Sequence, residues 1–188
     1  MPKTTLHIKN MVCPRCITAV EDTLKELNIK FTSVKLGEAE VFDDNIDYNL
    51  LDRNLKAIGF ELINNDDNKI IEIVKTTIIN IIHHSDGETI NKNFSEILSD
   101  KTKKPYTYLS NLFSMKENIT IEKYIILQKI EKVKELISYK DLSFSEIAYK
   151  LNYSSPAHLS TQFKKIMGCS LSEYKKMNFE DRQTLDKV

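Results

Sequence analysis

Hydrophobic residues change their spacing near residue 66, and this change divides the chain into two parts. In residues 1–66 the apolar positions alternate along short segments and recur at helical spacing along others, in the order βαββαβ. Beyond the short polar junction "NNDDNK", Asn64 to Lys69, helical spacing continues through most of the remaining chain. The pattern predicts an α+β domain over residues 1–66 and an all-α domain over residues 67–188.

The elements of the first part each carry a recognisable pattern. "TTLHIKN" alternates as a half-buried strand, and "FTSVKLGEAEVF" is typical of two strands that turn at Gly37. "IDYNLLDRNLKAIG" predicts a helix that ends at Gly59, before a last strand "FELI". A helical stripe precedes the hairpin, at Ile17, Val20, Leu24 and Leu27. This order predicts a ferredoxin-like sheet with both helices on one face.

The second part contains an internal repeat with a constant offset. "FSEI" at residues 94–97 recurs at 144–147, and "YLSNLF" at 108–113 recurs as "HLSTQF" at 158–163, each 50 residues later. Apolar positions keep the same offset further on, as at Tyr124 and Tyr174. The repeat predicts two copies of one structural unit, over about residues 93–124 and 143–174.

Each copy has the start and stop signals of two short helices. Asn93 and Ser143 are predicted N-caps, each with a glutamate three residues later in the capping-box arrangement. A proline stands near the predicted start of the second helix in both copies. Asn118 and Gly168 lie where a left-handed residue ends a helix. Two short helices joined by a tight turn predict a helix-turn-helix unit in each copy.

A long amphipathic segment joins the two copies. From Thr120 to Ser138 a helix would be about 28 Å long at the usual rise per residue. A strut of that length can hold two recognition helices about one DNA turn, ~34 Å, apart. An all-helical bundle that does not touch nucleic acid is the alternative interpretation, which spacing alone leaves open.

The stretch "LSFSEIAYKLNYSSPAHLSTQFKKIMGCSLSEYKK", Leu142 to Lys176, resembles the DNA-binding domain of AraC/XylS-family transcription regulators. The resemblance extends over residues 68–177 and rests on the Ile-Ala pair, the aromatic before the turn, the LSxxFK segment, Gly168 and the final SxxxYK. The sequence departs from the family pattern at Asn152, Leu171 and Lys175. The resemblance implies two helix-turn-helix units, a long connecting helix and binding to double-stranded DNA.

The outward positions of the two recognition helices are the candidate DNA-binding residues. Asparagine can pair with adenine, and threonine or alanine can contact a thymine methyl group. Neither helix contains arginine, so we expect a preference for A·T-rich sites. The candidate base readers are Thr107, Ser110, Asn111, Ala157, His158, Ser160 and Thr161. The candidate phosphate contacts are Lys103, Lys104, Lys164, Lys165 and the helix amides near Ser155.

Charge is distributed unevenly over a chain whose formal net charge is +0. Residues 1–66 carry 8 basic and 11 acidic side chains, a net charge of −3, and residues 67–188 carry 19 and 16, a net charge of +3. This difference weakly favours an anionic partner for the second part. No apolar run approaches the length of a bilayer span and no signal peptide opens the sequence, so we expect a cytoplasmic protein without membrane contact.

The motif "NMVCPRC", Asn10 to Cys16, lies between the first strand and the first helix. With Gly59 and Phe60, it resembles the MxCxxC loop and Gly-aromatic pair of heavy-metal-associated domains, the fold of copper chaperones. The resemblance covers about residues 4–64 and implies Cys13 and Cys16 as metal ligands. Two thiolates suit Cu(I). The helix N-terminus and neighbouring Arg15 are expected to lower the thiol pKa.

Other interpretations of the cysteine pair stay open. One alternative is a retained loop motif that binds no metal and serves as a dimerisation or partner surface, and another is a thiol–disulfide sensor. Cys169 aligns with Ile119 in the repeat and is predicted to be a small core residue. His83 and His84 end the apolar segment "KIIEIVKTTIINIIHH", where cations favour a helix C-terminus, and we interpret them as a helix end rather than ligands.

These patterns predict a DNA-binding transcriptional regulator that responds to a thiophilic metal such as Cu(I) through Cys13 and Cys16. A metallochaperone or metal buffer is one alternative, and a regulator that responds to redox state or a protein partner without metal is another. RNA polymerase and a second copy of the chain are further expected partners. No nucleophile–base pair or phosphate-binding loop is apparent, so an enzyme is not expected.

Overall fold

The computed structural model describes residues 3–42, 46–84, 93–139, 141–177 and 184–188. Its N-terminal part contains a four-stranded sheet of order β2-β3-β1-β4. The strands are β1 (Lys3–Lys9), β2 (Phe31–Lys35), β3 (Glu38–Phe42) and β4 (Glu61–Leu62). Every neighbouring pair is antiparallel. Gly37 has φ of +81°, and this left-handed conformation closes the predicted hairpin between β2 and β3.

Two helices complete this part, in the predicted order. Helix α1 (Pro14–Glu26) follows the cysteine loop, and α2 (Tyr48–Ala57) begins at Asp47, whose carboxylate accepts hydrogen bonds from two backbone N–H groups. Val20 and Leu24 of α1 are fully buried, whereas Ile17 and Leu27 pack at the edge of the core. The core also includes Met11 of the cysteine loop and residues of the sheet and α2, among them Leu6, Ile8, Ala39, Val41, Leu51 and Leu55.

A longer helix follows the junction. Helix α3 (Asp66–Ile79) runs into a π-helical segment, Asn80–His84. Thr76 and Glu72 of α3 approach Gly37, where an added Cβ would come within 3.1 Å of the Thr76 methyl group. A residue with a side chain at Gly37 would therefore meet both a left-handed backbone and the surface of α3.

The remaining described helices form the repeated part. The first copy contains α4 (Phe94–Thr102) and α5 (Tyr106–Glu117), and the second contains α7 (Phe144–Lys150) and α8 (Pro156–Met167). Helix α6 (Ile121–Tyr139) joins the copies, and α9 (Leu171–Met177) follows the second. The predicted left-handed residues are confirmed, with φ of 58° at Asn118 and 75° at Gly168. Pro156 opens α8, as predicted, and Pro105 immediately precedes α5.

The second copy packs around the C-terminal half of α6. One buried cluster joins Ile130, Val133, Leu136 and Ile137 of α6 to residues of α7, α8 and α9. Half-buried Cys169 packs against this cluster, consistent with its predicted role as a small core residue. The α7, α8 and α9 members are Ile147, Ala148, Leu151, Leu159, Phe163, Leu171 and Tyr174.

Helix α6 also buries polar side chains, among them Gln128, which the stripe offers as the alternative to Leu127. Gln128 is fully buried, whereas Leu127 is only half-buried, so the amide takes the inward position. Glu131 and Lys134 are each 4% exposed and form an ion pair of 2.6 Å between Oε2 and Nζ. Pairing compensates the desolvation of two charges that periodicity would place on the surface.

The chain divides into two compact units, residues 1–77 with 98–112, and residues 78–97 with 113–188. The first unit therefore includes the sheet and the start of α5, whereas the second copy lies entirely in the second unit. Among the residues that the structure describes, no helix is long and apolar enough to cross a membrane.

Candidate nucleic-acid interface and cysteine pair

Helix α8 presents a polar outer face that begins at a well-formed N-cap. The Ser155 hydroxyl accepts a hydrogen bond from the backbone N–H of His158 at 3.1 Å, and Pro156 occupies the first turn. Leu159 and Phe163 are fully buried and fix the rotation of the helix. The predicted readers on α8 are all exposed: Ala157, His158, Ser160 and Thr161. Lys164 and Lys165 are exposed near its C-terminus, and Ser155 is half-buried.

Helix α5 presents a comparable face in the first copy. Leu109 and Phe113 are fully buried, so the opposite side of the helix faces outward. The predicted readers Thr107 and Asn111 are exposed there, and Ser110 is half-buried. The Lys104 ammonium lies 6.0 Å from the centre of the Tyr108 ring. The Tyr108 hydroxyl donates to the Asp67 carboxylate of α3 at 3.4 Å. Tyr108 was not among the predicted site residues, and neither was its contact with α3.

The two cysteines of the loop lie side by side. Cys13 is the N-cap of α1, and its carbonyl accepts from the Cys16 N–H at 2.9 Å. Their Sγ atoms are 3.2 Å apart, within the ~4.6 Å that two metal–sulfur bonds of about 2.3 Å can span. Two free thiols at this separation fit a soft ion with sulfur ligands, and a modest rotation would also bring them to disulfide distance.

The predicted thiol acidity is wrong for Cys16. Burial raises the pKa of its thiol, and the proximity of Cys13 adds to this effect. The helix N-terminus and Arg15 therefore do not decide its acidity, because desolvation penalises the thiolate more strongly. Arg15 is exposed. Among the described residues, no group of three or more His, Cys, Asp or Glu is placed to hold a metal ion.

Helix α3 contacts the base of the cysteine loop. The buried Glu72 carboxylate accepts a hydrogen bond from the backbone N–H of Asn10 at 3.2 Å. Asn10 has φ of 73°, and its side-chain amide donates to the Gly59 carbonyl at 3.1 Å. Asn10 is therefore held from both sides, three residues before Cys13. The pattern of apolar residues gave no sign of this contact, because it joins residues 62 positions apart.

His83 does not have the role predicted for a helix-end cation. Burial lowers the pKa of its imidazole to about 4, so it is neutral at physiological pH. Its Nε2 lies 2.9 Å from the Gln128 amide oxygen, and Lys132 Nζ donates to the His83 carbonyl at 3.3 Å. Gln128 donates in turn to the Tyr124 hydroxyl at 3.0 Å. His83 thus belongs to a buried polar network on α6, whereas His84 is exposed.

Comparison with known proteins identifies the repeated part. Residues 98–177 match the family model described as a helix-turn-helix domain. The chain is 30% identical over 77 residues to the melibiose operon regulatory protein of Escherichia coli K12, a match that covers 41% of this chain and 26% of that protein. It is 27% identical over 81 residues to the uncharacterized HTH-type transcriptional regulator YdiP of the same strain, covering 43% of this chain and 27% of the relative. Both relatives are named as regulators and not as enzymes.

Solved structures are also similar. The C-terminal domain of AraT, a response regulator from Geobacillus stearothermophilus, has 24% identity and a TM-score of 0.49, covering 61% of this chain and 90% of that chain. The C-terminal domain of the two-component response regulator yesN from Fusobacterium nucleatum has 28% identity and a TM-score of 0.45, covering 54% of this chain and 96% of that chain.

These matches concern the repeated part of the chain. The chain spans about a quarter of the length of the curated relatives it matches. The predicted start and stop signals, the buried faces of α5 and α8 and the family match all describe the same segment. Residues 98–177 therefore match a helix-turn-helix domain in both sequence pattern and structure.

Proposed function

We propose that this protein is a sequence-specific DNA-binding transcriptional regulator. The observation that carries the proposal is the exposed polar face of α8, which begins at the Ser155 cap and lies inside the segment that matches the helix-turn-helix family. A helix of this kind reads base edges with its N-terminal residues when it enters the major groove. RNA polymerase and a second copy of the chain are the partners expected at a promoter.

Each helix-turn-helix copy is proposed to contribute residues that contact bases and residues that contact phosphates. Thr107, Ser110 and Asn111 on α5 and Ala157, His158, Ser160 and Thr161 on α8 contact base edges. Lys104 on the first copy, with Lys164, Lys165 and the amides near Ser155 on the second, contact phosphates. The exposure of the lysine side chains supports this assignment. The shortage of arginine on both helices favours A·T-rich half-sites.

DNA binding is tested by selecting sites from a random duplex library with the full chain at low salt. The selected site and random DNA are then compared by fluorescence anisotropy. Asn111→Ala should cost about 1–3 kcal/mol at one base pair and leave random DNA unaffected, because a base contact carries sequence information. Equal loss on both DNAs would remove Asn111 from the reading set. No enrichment and no binding at low salt would contradict the proposed function.

The front domain is proposed to be a ferredoxin-like, heavy-metal-associated domain that binds Cu(I) through Cys13 and Cys16. Support comes from the sheet order β2-β3-β1-β4 and from the 3.2 Å separation of the two sulfurs. A bound Cu(I) ion would supply soft, sulfur-selective coordination that joins the loop to the N-terminus of α1. Met11 is fully buried and packs in the core, so its sulfur is not accessible to a ligand.

The metal proposal is tested by titrating the reduced chain with Cu(I) against a competing chelator. A variant with Cys13→Ser and Cys16→Ser is the comparison, and Cys169→Ser is the matched control. Tight binding of one ion, lost in the double variant and kept in the control, is the expected result. Equal Cu(I) uptake by all three proteins would contradict the assignment and leave redox state or a partner as the signal.

Helix α3 is proposed to couple the cysteine loop to the first recognition helix. The Glu72 carboxylate of α3 accepts from the Asn10 N–H, and Asp67, at the start of α3, accepts from the Tyr108 hydroxyl of α5. A change in the loop that breaks the bond to Glu72 would shift α3 and alter what Tyr108 presents to DNA. The measurement is operator affinity with and without Cu(I) in the wild type and in Glu72→Leu. Equal affinity in both states of the wild type would contradict the coupling.

A metallochaperone or metal buffer is the second candidate function. The free thiols of Cys13 and Cys16 favour this second function, because two thiols suit Cu(I) without any contribution from the helix-turn-helix units. Such a protein would pass Cu(I) to a partner and show no sequence preference on DNA. The site selection described above separates the two functions, because only the regulator enriches a defined sequence.

A further inference from the structure

Three consecutive residues hold the side chain and backbone of His158 on α8. The Ser154 Oγ lies 3.0 Å from its Nδ1, and the Ser155 Oγ accepts its backbone N–H. The Tyr153 ring meets the imidazole edge-on, with centroids 5.5 Å apart and planes at 83°. An exposed histidine with contacts to its Nδ1, its ring and its backbone is more narrowly oriented than its exposure suggests.

Tyr153 is itself fixed against two helices. Its hydroxyl donates to the Gln162 amide oxygen of α8 at 2.7 Å. The Lys129 ammonium of α6 lies over its ring at 5.0 Å from the centroid. Burial raises the pKa of Tyr153 to about 12, so the hydroxyl keeps its proton and remains a donor. Tyr153 thus connects the long helix α6 to the side of α8 that carries His158 and Gln162.

The contact with Ser154 occupies one ring nitrogen of His158 and leaves the other available to a ligand. Nδ1 is engaged by Ser154, whereas Nε2 has no hydrogen-bond partner within the described part of the chain. Ser154 precedes α8, where backbone N–H groups create a positive potential that favours an acceptor. We assign Nδ1 as the acceptor of the Ser154 hydroxyl, which places the ring proton on Nε2. The outward atom of His158 is a hydrogen-bond donor.

We propose that His158, oriented by Ser154 and Tyr153, reads a guanine through Nε2–H in the site of the second helix-turn-helix unit. This inference rests on the proposed function and gives one position of the site a definite base. In the major groove guanine presents two adjacent acceptors, N7 and O6. Adenine places an amino donor beside N7, thymine places a methyl group beside its single acceptor O4, and cytosine presents only a donor. A single outward donor therefore favours guanine.

The first copy has no equivalent of this arrangement. At the 50-residue offset, Tyr108 takes the place of His158 and Lys103 takes the place of Tyr153. Tyr108 contacts Asp67, whereas His158 contacts residues of its own turn. The guanine contact therefore belongs to the second half-site alone. It also refines the expected A·T preference, which then describes the rest of the site.

The test uses the full chain and the DNA site selected from a random library. His158→Asn is expected to change the preferred base from guanine to adenine at one position, since asparagine pairs with adenine. Replacing that guanine by 7-deazaguanine, which lacks the N7 acceptor, should weaken the wild type about 3- to 10-fold and leave His158→Ala unchanged. Ser154→Ala should reduce discrimination at this position more than it reduces overall affinity, and Ser145→Ala on α7 is the matched control.

Each outcome distinguishes this inference from the proposed function. A selected site whose base preferences are the same in the wild type and His158→Ala would overturn the inference and keep DNA binding. Equal discrimination by Ser154→Ala and Ser145→Ala would remove Ser154 as a positioning residue. Failure to select any site would contradict the proposed function instead. Circular dichroism of each variant confirms that a lost preference does not come from unfolding.

Discussion

The two helix-turn-helix copies share a sequence pattern but are stabilised differently. In the second copy, Ser143 and Glu146 form a complete capping box, with the Glu146 carboxylate 2.7 Å from the Ser143 backbone nitrogen. In the first copy, the equivalent Asn93 side chain accepts from the Ser95 N–H at a long 3.5 Å. The second copy also ends α8 at a glycine, whereas the first ends α5 at left-handed Asn118. Local signals are therefore stronger in the second copy.

The turns differ as well. The left-handed residue between the helices is Lys103 in the first copy and Asn152 in the second, at φ of 55° and 53°. Asparagine tolerates this conformation better than lysine. At the equivalent of Lys103 the second copy has Tyr153, whose ring connects α6 and α8. The lesson is that the second copy is the more self-contained unit, and the first depends more on contacts outside itself, such as Asp67 with Tyr108.

The largest expected effect tests whether the cores of the two copies are equally important. Phe113 and Phe163 are fully buried repeat partners that meet Tyr124 and Tyr174 at 5.5 and 5.4 Å between ring centroids. Phe113→Ala and Phe163→Ala should each lower the free energy of unfolding by about 3–5 kcal/mol. Urea denaturation measures this, with exposed Met115→Ala as the control. A tolerated Phe113→Ala would show that the first copy lacks a tightly packed core.

A pH titration should single out the polar network beside the first copy. The pKa of His83 falls from 6.5 to about 4 on folding, so the unfolded chain binds a proton at a higher pH than the folded chain. The contribution of neutral His83 to the free energy of unfolding is fully present above pH 6.5 and is lost as the pH falls towards 4. This contribution is at most about 3 kcal/mol. Relative to the wild type, His83→Gln should flatten this part of the stability curve, and exposed His84→Gln should not. Parallel curves for the wild type and His83→Gln would contradict the assignment.

Substitutions at the left-handed residues that follow α5 and α8 test the difference in capping. Gly168→Ala should destabilise the chain by about 1–2 kcal/mol, because alanine is strained at φ of 75°. No atom lies within 4 Å of the added Cβ, so the cost is one of backbone conformation. Asn118→Gly should stabilise the first copy by less than about 1 kcal/mol. Thermal unfolding measures both, and opposite signs would show that other contacts decide these two ends.

The smallest expected effect concerns salt dependence. Exposed Lys164 has Ser114 as its repeat partner, so the second copy carries a positive charge that the first lacks. Lys164→Ala should weaken binding to all DNA sequences and reduce the slope of log affinity against log salt by about 0.9. Ser114→Lys should increase that slope by a similar amount. Unchanged slopes would place the DNA backbone away from this end of both helices.

Much of the fold was predictable because it depends on short-range patterns. The strands of the first part, the helices of both copies and the left-handed positions Asn118 and Gly168 all follow from periodicity and capping residues. The exposure of the candidate readers on α8 also follows, because buried Leu159 and Phe163 set the rotation of the helix. These features need only neighbours within one or two turns.

Other features were not predictable from local patterns. The hydrogen bond between His83 and Gln128 joins residues 45 positions apart, and Glu131 and Lys134 are buried as a pair although charged side chains are expected at the surface. The predicted low pKa of the Cys16 thiol was wrong because the sequence shows the nearby Arg15 but not the degree of burial. Desolvation is a property of the surroundings, and these come from the whole fold.

The sequence by itself determined the two-part organisation, the repeat, the position of α5 and α8 as the second helices of the two copies and the presence of a cysteine pair in one loop. Only the tertiary structure decided which groups around them are engaged: Glu72 at Asn10, Asp67 at Tyr108, and Lys129 behind Tyr153. Periodicity records which face of an element is apolar. It does not record which distant side chain meets that face, because such contacts are fixed by the packing of elements far apart in the chain.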